Sequence, residues 1–172
     1  MEQRPAHSKA DAWFFVDEKL DRSGWHPHIQ DMYAYWQLIS PAGGLPGRQH
    51  FDPLHISPLM SRVWMLDVVR PEMRFRYRLA GTREVQTLGL DPTGKWFDEV
   101  HPAFLRNPGI AERYLRTVEA GVPTYRHGNV MFVHDKYHQL VQNLVLPFAK
   151  DGRTVDMLMI LSVLFRSNGT VV

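Results

Sequence analysis

At 172 residues the chain is long enough for one domain with a well-developed core, and 44% hydrophobic with 22% charged residues is an ordinary globular balance. The formal charge of +2, with arginines outnumbering lysines about three to one, lacks the dense basic stripe that grips phosphates, which argues against a nucleic-acid partner. The lack of cysteine excludes disulfides, thiolate chemistry and cysteine-bound zinc or iron–sulfur clusters, and no apolar run approaches the ~20 residues that span a bilayer. Met1-Glu2-Gln3-Arg4-Pro5 has no apolar signal segment, so the expected location is the cytoplasm, away from membranes.

Residues 1–11 are polar and predict a disordered tail. Ala12-Trp13-Phe14-Phe15-Val16 is an apolar cluster, read as a short strand or docking peptide. Aromatics of this size are expected to pack on the domain or on a second subunit. Residues 27–39 predict a helix, with Ile29, Met32, Trp36 and Ile39 on one stripe and Tyr33 and Tyr35 flanking it. The glycines and prolines of 41–47 stop it, and 48–62 are mostly turns with a short helix near 58–62.

Val63 to Val69 predicts a strand with Trp64, Leu66 and Val68 facing inward. After the turn at Arg70-Pro71-Glu72-Met73, Arg74 to Ala80 alternates charged and apolar residues, the period-two pattern of a strand with one buried face. Phe75, Tyr77 and Leu79 share that face, while Arg74, Arg76 and Arg78 point the other way. Glycines and prolines between 82 and 108 permit only short helices, near 83–88 and 95–100. Asn107-Pro108 opens a clearer helix with Ile110, Tyr114, Leu115 and Val118 as its buried stripe, ended by Gly121 and Pro123. Strands follow at about 126–134, 138–147 and 155–165, separated by turns at Asp135-Lys136 and Lys150-Asp151-Gly152-Arg153. The last is apolar on both faces, so it is expected at the centre of the sheet, with the helix at 27–39 covering its outer face.

The order of elements, together with Tyr35-Trp36, Leu45-Pro46, Asp52-Pro53, the run from Phe75 to Thr82, Gly89-Leu90-Asp91-Pro92-Thr93-Gly94 and Leu146-Pro147, resembles the stand-alone bacterial PAS domain family typical of alphaproteobacteria. The resemblance spans about 30–165. It implies an α+β fold, a five-stranded antiparallel sheet of order 2-1-5-4-3 with a helical crossing and an N-terminal helix on the outer sheet face. The domain is expected at 26–166, with an N-terminal extension at 1–25 and a tail at 167–172. A sensory or regulatory role, by small-molecule binding, partner docking or both, is what the resemblance implies.

In such a fold the crossing and the concave sheet face enclose a cavity, and the alternation assigns Trp64, Leu66, Phe75, Tyr77, Leu144 and Leu146 to its lining. The competing reading is a filled core. Tyr77 is of special interest because a buried phenol normally requires a hydrogen-bond partner. The row Arg74, Arg76 and Arg78 is a candidate anion site, or else pairs with acidic neighbours. His134 and His138, and His26 and His28, lack a third ligand at characteristic spacing, so no metal site is expected. His101 and His127 lie in the region where a haem-sensing relative would use a histidine, but neither stands in a haem-binding motif. A flavin or chromophore linked through a thiol is excluded. Ser57, Ser61 and Ser162 have no base nearby in sequence, Asp98-Glu99 is read as solvating a helix, and no catalytic group emerges.

The expectation is a non-enzymatic regulator that acts through a separate signalling protein, with dimerisation through Trp13–Ile39. Its rivals are a ligand-free interaction scaffold and a small-molecule enzyme using the same cavity, to which Tyr77, Gln142 and Asn143 would bring polar groups.

Overall fold

The computed structural model describes residues 12–130 and 139–172. The polar start of the chain, the turn at Asp135-Lys136, and His134 and His138 lie outside these residues. A short strand β1 (Trp13–Phe15) leads to helix α1 (Pro27–Ile39), which has the bounds its apolar stripe predicts. His26 caps it: the ring Nδ1 accepts from the His28 N–H at 3.1 Å, and Pro27 occupies the first turn, where its missing N–H costs nothing. The buried stripe is Ile29, Met32 and Tyr35, with Trp36 and Ile39 only partly covered. Tyr35 moves inward because its hydroxyl both donates to the Asp52 carbonyl (3.1 Å) and accepts from the Asp52 N–H (2.9 Å).

A 3-10 segment, Pro53–Arg62, then enters the hairpin of β2 (Val63–Val69) and β3 (Arg74–Ala80). The crossing comprises α2 (Thr82–Leu88), α3 (Phe97–Val100), α4 (Ala103–Arg106) and α5 (Pro108–Ala120). Gly81 is required at its start: a Cβ there would stand 2.3 Å from the Met60 carbonyl oxygen. The chain closes with β4 (Thr124–Asn129), β5 (Leu140–Phe148) and β6 (Met157–Phe165).

The sheet is antiparallel, with order β1-β4-β5-β6-β2-β3. Its last five positions are the expected 2-1-5-4-3 arrangement read from the other edge. The difference is a sixth strand: Trp13–Phe15 pairs with Arg126–Thr124 and covers the free edge of β4. At the opposite edge, the Tyr77 N–H donates to the Lys95 carbonyl at 2.9 Å and the Tyr77 carbonyl accepts from the Gly94 N–H at 2.8 Å, so a loop protects β3.

β6 is central, and Met157 to Val163 are buried on both sides. One face, carrying Leu144, Leu146, Phe148, Met157, Met159, Leu161 and Val163, packs on α1. Two polar ties fix that docking. Trp36 Nε1 donates to the Pro147 carbonyl at 3.0 Å. The Gln142 amide accepts from His26 N–H (2.7 Å) and donates to the Gly24 carbonyl (3.0 Å). The other face meets the crossing.

A bulge corrects the alternation expected for β3. Leu66 pairs with Tyr77 but Met65 with Leu79, so Arg78 is the extra residue and Leu79 turns to the α1 face beside Met65. Among the described residues no helix is long and apolar enough to cross a membrane.

Candidate functional site

On the crossing face two environments lie side by side. Over β2 and β3, the rings of Phe75, Phe97, Phe104 and Tyr114 meet edge-on or tilted with centroids 5.0–6.1 Å apart, a close aromatic plug. Beside it, between α2, α5 and the β4–β6 part of the sheet, lies a cavity of about 680 Å³, within the usual range for small-molecule sites. Trp13, Trp64, Ile110, Val130, Val141 and Leu164 supply its apolar walls.

Its polar groups are arranged in three sets. The Tyr77 hydroxyl and His101 Nε2 are 2.7 Å apart, both side chains buried. Burial alone pulls the His101 ring down to about 4, so at neutral pH it is an uncharged imidazole able to accept the phenol proton. Burial likewise holds the phenol well above its ordinary range. On α2, half-buried Glu84 faces the cavity, and burial pushes its carboxyl up to about 8, against the weaker opposing pull of Arg62.

The third set is at the floor. Arg113 reaches from α5 to the sheet, where Nε donates to Thr124 Oγ1 (3.1 Å), Nη1 to Asn143 Oδ1 (2.7 Å), and Nη2 to the carbonyls of Thr124 and Asn143 (both 3.0 Å). Asn143 Nδ2 continues to Ser162 Oγ at 2.9 Å, across a pair of directly opposed residues on β5 and β6. A second guanidinium, Arg126, lines the same side and donates to the Asn129 carbonyl at 2.6 Å.

A family model described as the PAS domain matches residues 25–161. This chain belongs to the PAS domain family. Five solved chains match it. Among them is the "Structure of an RNA-binding Light-Oxygen-Voltage Receptor", at 13% identity and a TM-score of 0.48, over 92% of this chain and 39% of the receptor. The chain thus spans well under half of that protein. No curated protein matches. PAS domains are in general sensory or regulatory modules, typically without catalysis, and membership places this chain in that broad class.

Of the residues expected to line the cavity of this PAS domain, Trp64 and Tyr77 do so. Leu66 and Phe75 share the crossing face but pack in the aromatic plug. Leu144 and Leu146 are corrections: they turn to the α1 face, and Val141 and Asn143 are the β5 residues that reach the cavity. Gln142 likewise points away, to Gly24 and His26.

The arginine row is occupied from within. Arg74 grips Asp98 through Nε and Nη2 (both 2.8 Å) and Glu99 at 3.0 Å. These bonds, Asp98 first, raise the guanidinium above its ordinary range, and Asp98–Glu99 holds an arginine rather than simply solvating its helix. Arg78 holds Asp67 at 2.7 Å, and Arg76 lies over the Trp96 ring at 5.6 Å.

His127 is exposed, and His26 is committed to its cap. Among the described residues no three His, Asp or Glu side chains cluster as metal ligands. In Trp13–Ile39, Trp25 and Tyr35 are buried within the domain, while Phe14 and Leu38 are the large apolar side chains left exposed.

Arg113 and Glu84 were not anticipated. The one available signal is positional: Arg113 falls three residues after Ile110 and beside Tyr114, inside the buried stripe of α5.

Proposed function

We propose that this PAS domain is a sensory module that holds a small molecule in the cavity between the crossing and the sheet, passing its occupancy to a signalling protein in the cytoplasm without chemistry of its own. The observation that carries this reading is the cavity itself. Polar groups from β3, β5, β6, α2 and α5 converge on about 680 Å³ of space that the adjoining aromatic plug shows this sequence is able to fill. Binding energy is coupled to the helices that form the roof, because a ligand held by both roof and floor favours whichever arrangement of the two it fits best.

Native mass spectrometry of freshly purified protein, compared with the denatured chain, tests the reading directly. A mass excess lost on denaturation is expected, or a thermal shift with at least one member of a metabolite panel, since ligand at a hundredfold its Kd adds about 2.7 kcal/mol. No mass excess and no shift across the panel would leave a scaffold whose cavity has no resident.

A further inference from the structure

We propose that the cavity takes an apolar monocarboxylate, its carboxylate seated on the Arg113–Asn143–Ser162 floor and its body between the tryptophan and aliphatic walls. The inference rests on the reading of the cavity as a ligand site and specifies what enters it.

Arg113 is only 3% exposed, and a buried cation with no counter-charge carries a desolvation penalty. Four of the five guanidinium N–H groups are used, all on neutral oxygens of Thr124 and Asn143. No carboxylate among the described residues pairs with it. The floor therefore carries positive charge with no anion of its own.

The network runs in one direction. Asn143 accepts from Arg113 and donates to Ser162 Oγ, so the Ser162 hydroxyl proton remains to be given, and no described residue takes it. Trp64, on the adjoining wall, has a buried indole N–H with no acceptor. A floor of donors backed by a cation calls for an acceptor, and an anionic one is stabilised most.

Two carboxyl groups line the cavity: Glu112 is exposed to solvent and faces Arg116 at 4.0 Å, which leaves Glu84 as the more buried group that would oppose an anion. Burial raises its carboxyl to about 8, so near neutrality it is mostly protonated and does not. Trp13, Ile110, Val141 and Leu164 supply apolar wall, and Arg126 adds a second guanidinium on the side of the floor, which suits an anionic end on an apolar body.

Isothermal titration of the full chain at pH 7 with matched pairs tests this: decanoate against decanamide, and 2-naphthylacetate against its amide. The acids are expected to bind one per chain, at least tenfold tighter than the amides. In Ser162→Ala that gap is expected to shrink to threefold or less. If the variant does not fold, the wild-type pairs alone decide. Amides binding as well as acids would overturn the carboxylate assignment and leave the cavity a ligand site. Binding of neither, while fresh protein carries some other molecule, has the same meaning. Binding of neither by a protein that carries nothing removes both readings.

Discussion

The two faces of the sheet are built from the same strands, and they are filled by different means. Against α1, Leu144, Leu146, Met159 and Leu161 meet Ile29 and Met32, all at 0–1% exposure. Against the crossing, half the face is an aromatic plug and half is hollow, its floor braced by hydrogen bonds among Arg113, Thr124, Asn143 and Ser162. The contrast separates two jobs. Dispersion and hydrophobic burial hold the domain together on the closed side, while on the open side polar groups fix one another so that space can persist without collapse.

The largest effect should come from truncating matched leucines of β6. Leu161→Ala opens a hole in the closed face and is expected to cost about 2–5 kcal/mol. Leu164→Ala enlarges a space already present and should cost under about 1 kcal/mol. Chemical denaturation measures both, and equal losses would mean that the two faces are not packed differently. Tyr77→Phe comes next: it removes the hydroxyl from His101 without making a hole, and should lower stability by about 1–2 kcal/mol. A neutral result in the same assay would show that polar bonding on the open side contributes nothing net.

The smallest effect is electrostatic. Glu84 has a folded value of about 8 against 4.5 ordinarily, so between those pH values the folded chain binds a proton that the unfolded chain has lost. Stability from this group is complete below about pH 4.5 and declines as pH rises through 8. Glu84→Gln should therefore exceed the wild type at pH 8.5 by about 1 kcal/mol, after allowance for solvent screening at the half-buried side chain, and match it near pH 4. A difference independent of pH would place Glu84 outside the cavity's electrostatics.

What was legible in the sequence follows the same division. The closed face declares itself through periodicity: the bounds of α1 and the central place of the doubly apolar β6 are readable because burial decides most positions there, while Tyr35 moves into the stripe through its bonds to Asp52. Leu79 escaped because a bulge at Arg78 shifts the phase, and a single inserted residue leaves no mark in a pattern of alternation. Alternation alone does not place Leu144 and Leu146, because β5 is buried on both sides and its hydrophobicity has no phase to read. The open side was the least visible. Arg113 resembles any helix arginine until Asn143, 30 residues away, is seen to receive it, and Ser162 becomes informative only when opposed to Asn143. The acidic partners of Arg74 and Arg78 were foreseeable in kind, and their identity depended on where α3 lands.

β1 has a consequence of its own. Its three residues hang on β4 by a short ladder and one further bond from Val16 N–H to the Pro123 carbonyl (2.8 Å), yet Trp13 forms part of the cavity wall. An occupant in contact with that indole would share its binding free energy with the leading stretch of the polypeptide, and by reciprocity a pull on this stretch would change the occupant's affinity. The first strand thus does two things at once: it closes a sheet edge and walls the chamber.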